Sequence, residues 1–204
     1  MKIAILGGSF DPPHLGHILI AQQILELTEI EEVWLMPNYT TGTHHKIFRK
    51  QLSPAIKRFE MTKLLENNTI KVSDFELKYN KKSITITTLK MLSKQYPENI
   101  FYWITGSDKL ETFHLYDDWL EIIKNYHIII FPREHMLWDL ESRVKNAFKM
   151  KKIPENVIVL QNKELLLANI SSTAIRHRVK NGLPINFLVK ESVEKYIKKN
   201  NLYV

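Results

Sequence analysis

The sequence predicts an α/β fold, doubly wound, with a mainly parallel sheet, helices on both faces and a small C-terminal helical extension. Three features carry that expectation. Short apolar runs alternate with helical patterns as far as Leu160, the order expected when each crossover lays a helix on a parallel sheet. The run Ile128-Ile129-Ile130-Phe131 is apolar without alternation, as a strand covered from two sides must be. A glycine pair, Gly7-Gly8, links the first apolar run to the first helical pattern.

In chain order, strands are expected at 2–6, 32–36, 70–75, 100–105, 127–131 and 157–160. Helices are expected at 18–27, 54–65, 85–95, 116–125 and 137–148. Pro54 directly after Ser53 suits a helix start, because proline is tolerated in the first turn. Beyond Leu160 two further helices are expected, 172–181 and 190–200, with Gly182 at a C-cap position and Pro184 as a stop. No linker divides the chain, so one domain is expected over 1–204, with a core at 1–160 and a helical part at 161–204. The longest irregular stretch is 38–53, and a loop of that length in a compact domain is often functional.

The chain has 204 residues, 44% of them hydrophobic and 25% charged, an ordinary globular balance. No apolar run approaches the roughly 20 residues of a membrane span. There is no cysteine, which excludes disulfides and thiolate metal sites. The amino-terminus reads as a first strand without a secretory pattern, so a cytoplasmic protein is expected. The net charge of +7 admits anionic partners, but the lysines are scattered and no RNA-binding aromatic motif interleaves with them. Neither a nucleic-acid nor a membrane partner is expected, and a second copy of the chain stays open.

Ligands of open α/β sheets bind beyond the carboxyl ends of the strands. Gly7, Gly8, Ser9, Phe10, His14 and His17 follow the first strand, Lys46 the second, Asp108 the fourth and Arg133 the fifth. A glycine turn beside a helix start exposes backbone N–H groups and makes a phosphate site. Taken singly, His14 reads as a turn cap and His17 as a packed core histidine. A metal-binding pair is the third reading, and no acidic ligand lies at helical spacing to support it. The segment Ile170-Ser171-Ser172-Thr173-Ala174-Ile175-Arg176 reads equally as a capped helix start and as an anion cradle. Asp108 suits a helix N-cap as well as a ligand contact.

Gly8-Ser9-Phe10-Asp11-x-x-His14-x-Gly16-His17 together with Ile170-Ser171-Ser172-Thr173-x-x-Arg176 resembles the H-x-G-H nucleotidyltransferase superfamily, whose fold is Rossmann-like. Within it the chain is similar to the bacterial nicotinate mononucleotide adenylyltransferases over nearly its full length. The segment from Thr85 to Leu89, Gly106-x-Asp108, Trp119, His45-Lys46 and the ending Val193-x-x-Tyr196-Ile197 with Leu202-Tyr203 add to the likeness. Ile84 and Thr87 replace a tyrosine and an aspartate of the family pattern, Thr43-His44 replaces a proline pair, and Lys190 stands where a proline is common. These departures bear on the pyridine side more than on the ATP side.

The resemblance implies adenylyl transfer from ATP to nicotinate mononucleotide, giving nicotinate adenine dinucleotide and pyrophosphate, with Mg2+ arriving on the ATP and no dedicated protein metal site. His14, His17 and Arg176 are then the catalytic residues. Gly7, Gly8, Ser9, Phe10, Lys46, Asp108, Arg133, Ile170, Ser171, Ser172 and Thr173 serve the ATP side. Ser9, Phe10, Thr85 and Trp119 serve the pyridine nucleotide. Nicotinamide mononucleotide as acceptor and other superfamily reactions are the alternatives. A non-catalytic nucleotide or nucleic-acid binding protein is the alternative of another class, supported only by the positive charge.

Overall fold

The computed structural model describes residues 1–40, 52–79, 83–133, 139–162 and 164–204. Among these residues six strands form one sheet: β1 (Lys2–Gly8), β2 (Glu32–Pro37), β3 (Ile70–Val72), β4 (Ile100–Gly106), β5 (His127–Phe131) and β6 (Val157–Val159). Their order is β3-β2-β1-β4-β5-β6, and every neighbouring pair is parallel. The sheet is thus wholly parallel, with its order reversing between β1 and β4. That reversal opens a crevice at the carboxyl ends of the two strands.

Among the described residues eight α-helices cover it: α1 (Leu15–Leu27), α2 (Ala55–Lys63), α3 (Phe75–Tyr79), α4 (Thr85–Gln95), α5 (Trp119–Asn125), α6 (Leu140–Phe148), α7 (Ser172–Lys180) and α8 (Glu191–Lys199). Successive strand residues point to opposite faces, so β1 feeds two cores. Ala4 joins Ile24 of α1, Met61 of α2, Ile175 of α7 and Val193 of α8. Ile3 and Ile5 join Leu89 of α4, Ile122 of α5 and Val144 of α6. The last two helices therefore close one face of the sheet. Ile128, Ile129 and Ile130 of β5 are wholly buried, each contributing roughly 1.5–3 kcal/mol of apolar burial. Among the described residues no helix is long and apolar enough to cross a membrane.

The expected elements all appear, with instructive changes at their ends. The strand expected at 70–75 stops at Val72 because Ser73 Oγ accepts the N–H of Phe75 at 3.2 Å and starts α3. That serine is a helix-start signal, and α3 was not expected. The helix expected at 116–125 begins only at Trp119, because Ser107–Leu115 coils as a 3₁₀ helix and Tyr116 is extended. The first residues of the helix expected at 137–148 lie outside the described residues, and α6 runs from Leu140. Gly182 ends α7 with φ +65, a left-handed position that a glycine occupies without strain.

Candidate active site

A cleft of about 650 Å³ lies over the carboxyl ends of β1 and β4. The β1–α1 turn gives Gly7, Gly8, Ser9, Phe10 and His17; the ends of β4 and β5 give Thr105, Gly106, Asp108 and Arg133; α7 gives Ser172, Thr173 and Arg176; and Thr85 comes from the start of α4. The two ends of the chain meet here. Arg176 Nη1 donates to the Asp11 carbonyl at 2.7 Å, and Ser172 Oγ donates to the Pro12 carbonyl at 2.8 Å. Arg176 Nη2 also donates to Thr173 Oγ1 at 3.2 Å, which orients the guanidinium along its own helix turn.

The helix starts explain why these side chains converge. α1, α4 and α7 all begin at the rim, and the first N–H groups of a helix have no partner within it. Ser171 is the N-cap of α7, its Oγ accepting the Ala174 N–H at 3.2 Å. That leaves Ser172 and Thr173 to face the cleft. Ser171 and Ile170 themselves do not line it; Ile170 packs on the core beneath.

The two histidines form a stack, with ring centroids 3.7 Å apart. His17 Nδ1 accepts the His14 N–H at 3.1 Å, so the proton of its neutral ring sits on Nε2. His17 reaches the cleft, while His14 is 2% exposed behind it with Nδ1 lacking a hydrogen-bond partner. Burial lowers the pKa of His14 to about 3, helped by the Arg133 charge. Burial also holds His17 well below its ordinary value, with His14 and Arg133 adding to the effect. Both rings are neutral near pH 7. Gly16 is what permits the stack: a Cβ there would sit 3.0 Å from His14 Nδ1.

Asp108 lies in the first turn of the 3₁₀ helix, whose N-cap is Gly106, so it is not the cap that the sequence also suggests. Arg133 N donates to Ser107 Oγ at 3.0 Å, tying the ends of β4 and β5 together. Trp119 opens α5 half-buried against the second core and does not line the cleft; Tyr116 and Asp117 line it instead. Lys46 lies outside the described residues.

Sequence reasoning assigned no role here to Trp103, Glu76, Arg58 or Tyr203, among others. Trp103 of β4 lines the cleft with its indole lying on Gly7, where a Cβ would come 2.7 Å from Cη2. Glu76 of α3 lines it too, accepting Thr88 Oγ1 at 2.7 Å, with burial raising its pKa. Arg58 of α2 is 1% exposed and spends its guanidinium on the site's backbone. Its Nη1 donates to the Ser9 carbonyl at 2.6 Å and Asn38 Oδ1 at 3.1 Å, Nη2 to the Asn38 and Tyr39 carbonyls at 2.8 and 3.2 Å, and Nε to the Ser53 carbonyl at 3.0 Å. The signal was present: Arg58 shares a helix face with Met61, Thr62 and Leu65 at i+3, i+4 and i+7. The fourth is Tyr203, whose hydroxyl donates to Asp11 Oδ1 at 2.5 Å.

Comparison with known proteins follows this geometry. A model of the cytidylyltransferase-like family matches residues 5–178. A Caldicellulosiruptor bescii protein described as a probable nicotinate-nucleotide adenylyltransferase is 34% identical over 205 residues, covering 100% of this chain and 99% of its own. A Clostridium botulinum (strain Okra) protein with the same description is 38% identical over 207 residues, covering 98% of each chain. Among solved structures, the Plasmodium falciparum nicotinic acid mononucleotide adenylyltransferase complexed with NaAD is similar in fold, with a TM-score of 0.79 at 24% identity, covering 99% of this chain and 97% of that one. The same enzyme complexed with APC gives 0.78 at 23% identity, covering 99% and 96%.

Proposed function

The chain belongs to the cytidylyltransferase-like family and, within it, to the nicotinate-nucleotide adenylyltransferases, and from that premise we propose how its own cleft carries the reaction. The reaction joins ATP and nicotinate mononucleotide into nicotinate adenine dinucleotide and releases pyrophosphate. One phosphorus–oxygen bond forms between the mononucleotide 5′-phosphate and the α-phosphorus of ATP, and the bond to the bridging oxygen of the pyrophosphate breaks. The attacking phosphate monoester, with a second pKa of about 6, is largely dianionic at pH 7. It needs no general base. The protein's task is to hold two anions in line and to stabilise the charge that spreads in the transition state.

His17 suits that task as a neutral Nε2–H donor to the α-phosphate, with His14 beside it toward the triphosphate. Gly7, Gly8, Ser9 and Phe10 offer backbone donors to both nucleotides. Ser172, Thr173 and Arg176 receive the β- and γ-phosphates at the start of α7, and Ile170 and Ser171 set that helix start. Asp108 takes ribose hydroxyls, and Arg133 adds positive charge on the ATP side. Thr85, at the first position of α4, offers a free backbone N–H to the pyridine carboxylate. Trp119 is assigned to the pyridine side through the family likeness, and its place at the start of α5 makes it a support for Tyr116 and Asp117. Lys46 is assigned to the phosphates on the same likeness.

Mg2+ is proposed to enter on ATP, where it neutralises phosphate charge. The donor set fits a cation that keeps much of its water, because Asp108 and Asp117 bring carboxylates to the cleft wall and phosphate oxygens supply the rest. The whole activity is proposed to reside in one domain, 1–204, in the cytoplasm.

One observation carries this reading: His17 from the start of the chain and Thr173 with Arg176 from its end line a single cleft. Pyrophosphate release with ATP and each pyridine mononucleotide tests it. Rapid release with nicotinate mononucleotide is expected, and no release with either acceptor overturns it.

A further inference from the structure

Tyr203 is the second residue from the carboxyl end of the sequence. Its hydroxyl is bound to Asp11, which is wholly buried. Each acceptor of Asp11 holds a different segment of the chain, and one of the residues so held, Arg176, lines the cleft. Oδ1 takes the Tyr203 hydroxyl at 2.5 Å, Oδ2 takes the Ser53 N–H at 3.0 Å, and the main-chain carbonyl takes Arg176 Nη1 at 2.7 Å. The carbonyl of the next residue, Pro12, takes Ser172 Oγ. Neither Tyr203 nor Asp11 lines the cleft.

We propose that Tyr203 is a positioning residue for the triphosphate side of the cleft, acting through Asp11 on Arg176 and Ser172. This rests on the assignment of Arg176 and Ser172 to the ATP phosphates. The ring of Tyr203 packs on the first core with Leu202, and a phenylalanine would supply that packing equally. The hydroxyl does something else: it satisfies a buried carboxylate oxygen that has no other donor among the described residues. Burial and the neighbouring Asp11 raise its pKa far above the ordinary phenol value, so it stays a donor at every working pH. Without it, Asp11 rotates toward its remaining donors, because an unmatched buried acceptor is unfavourable. The turn from Ser9 to Pro12 moves with it, and Arg176 and Ser172 are anchored to that turn's carbonyls.

The test is Tyr203→Phe, which keeps the ring. KM for ATP should rise about tenfold, the effect of one typical hydrogen bond, while KM for nicotinate mononucleotide stays within about twofold. Tyr203→Phe should add almost nothing to KM for ATP in an Arg176→Ala background, since interacting residues are non-additive. Calorimetric affinity for a non-hydrolysable ATP analogue reads the same selectivity without turnover. Full additivity with Arg176→Ala, equal effects on both substrates, or a lowered melting temperature with unchanged KM for ATP overturns the proposal. A wild-type protein that binds the analogue but releases no pyrophosphate overturns the functional reading instead.

Discussion

His17 Nδ1 accepts the backbone N–H of His14 at 3.1 Å. The bond fixes the tautomer, since a nitrogen that accepts cannot also carry the ring proton. It leaves Nε2–H as the ring donor of a residue that lines the cleft, and the proposed reaction directs that donor at the charge that develops as the phosphorus is attacked. A preorganised donor of this kind is typically worth a hundredfold or more in rate. His17→Ala should therefore lower kcat by about a hundredfold or more, with the fold intact by circular dichroism. Near wild-type turnover would remove His17 from the mechanism.

The stability of the protein should fall with acid because of His14. In an unfolded chain this ring titrates near 6.5; in the fold, burial and then Arg133 lower it to about 3. Between those values the unfolded state binds more protons. The stabilisation is thus fully present above about pH 6.5 and is lost toward pH 3, at up to about 1.4 kcal/mol per pH unit. His17 shifts in the same direction. Urea midpoints of the wild type and of His14→Gln at pH 7.5, 6.5 and 5.5 check this. The wild type should lose stability more steeply; parallel slopes would count against it.

Much of the fold and half of the site's logic were legible because they depend on local pattern. Continuous apolar runs marked β5, and the Ser171-Ser172 pair marked the start of α7. The glycines could be seen, but their reason could not: Gly7 makes room for Trp103 from a neighbouring strand, and that proximity belongs to the strand order. Arg58 and Tyr203 escaped for the same cause. A lone arginine on a helix ordinarily reads as solvated, and a tyrosine next to the last residue of the sequence as a frayed end. Their partners, Ser9, Asn38, Ser53 and Asp11, are distant in sequence and become neighbours only through the parallel crossovers. Trp119 shows the converse: a residue legible in the motif sits on the second core, and its neighbours Tyr116 and Asp117 reach the cleft.

Arg58 should tolerate no replacement. All five of its N–H donors are used, four of them on main-chain carbonyls of three separate segments. Arg58→Met leaves four main-chain carbonyls without this donor, and an unmatched buried acceptor costs about 1–3 kcal/mol. Arg58→Lys should recover only part of that, because three ammonium donors cannot span the five acceptors. Urea unfolding at pH 7 measures both. A Lys variant as stable as the wild type would show that charge alone matters there.

Gly7→Ala and Gly106→Ala should separate stability from activity, although both glycines line the same cleft. At Gly7 the added methyl meets Trp103, 2.7 Å from Cη2 and 2.8 Å from Cζ2. The indole is 8% exposed and rigid, so the sheet must give way, and overpacking of this kind costs about 1–3 kcal/mol. At Gly106 the methyl meets Asp108 Oδ1 and, at 2.7 Å, Arg133 Cδ. Both belong to flexible side chains that can swing away cheaply, and the fold should lose less than about 1 kcal/mol. Yet those two side chains are the ones assigned to the ribose and to the ATP side. Displacing them should raise KM for ATP about tenfold or more, roughly 1.4 kcal/mol of binding. Thermal melts and steady-state kinetics on the two variants should therefore rank them in opposite orders. If Gly106→Ala melts lower than Gly7→Ala while binding ATP normally, then Asp108 and Arg133 are structural at this rim and the ribose contact lies elsewhere.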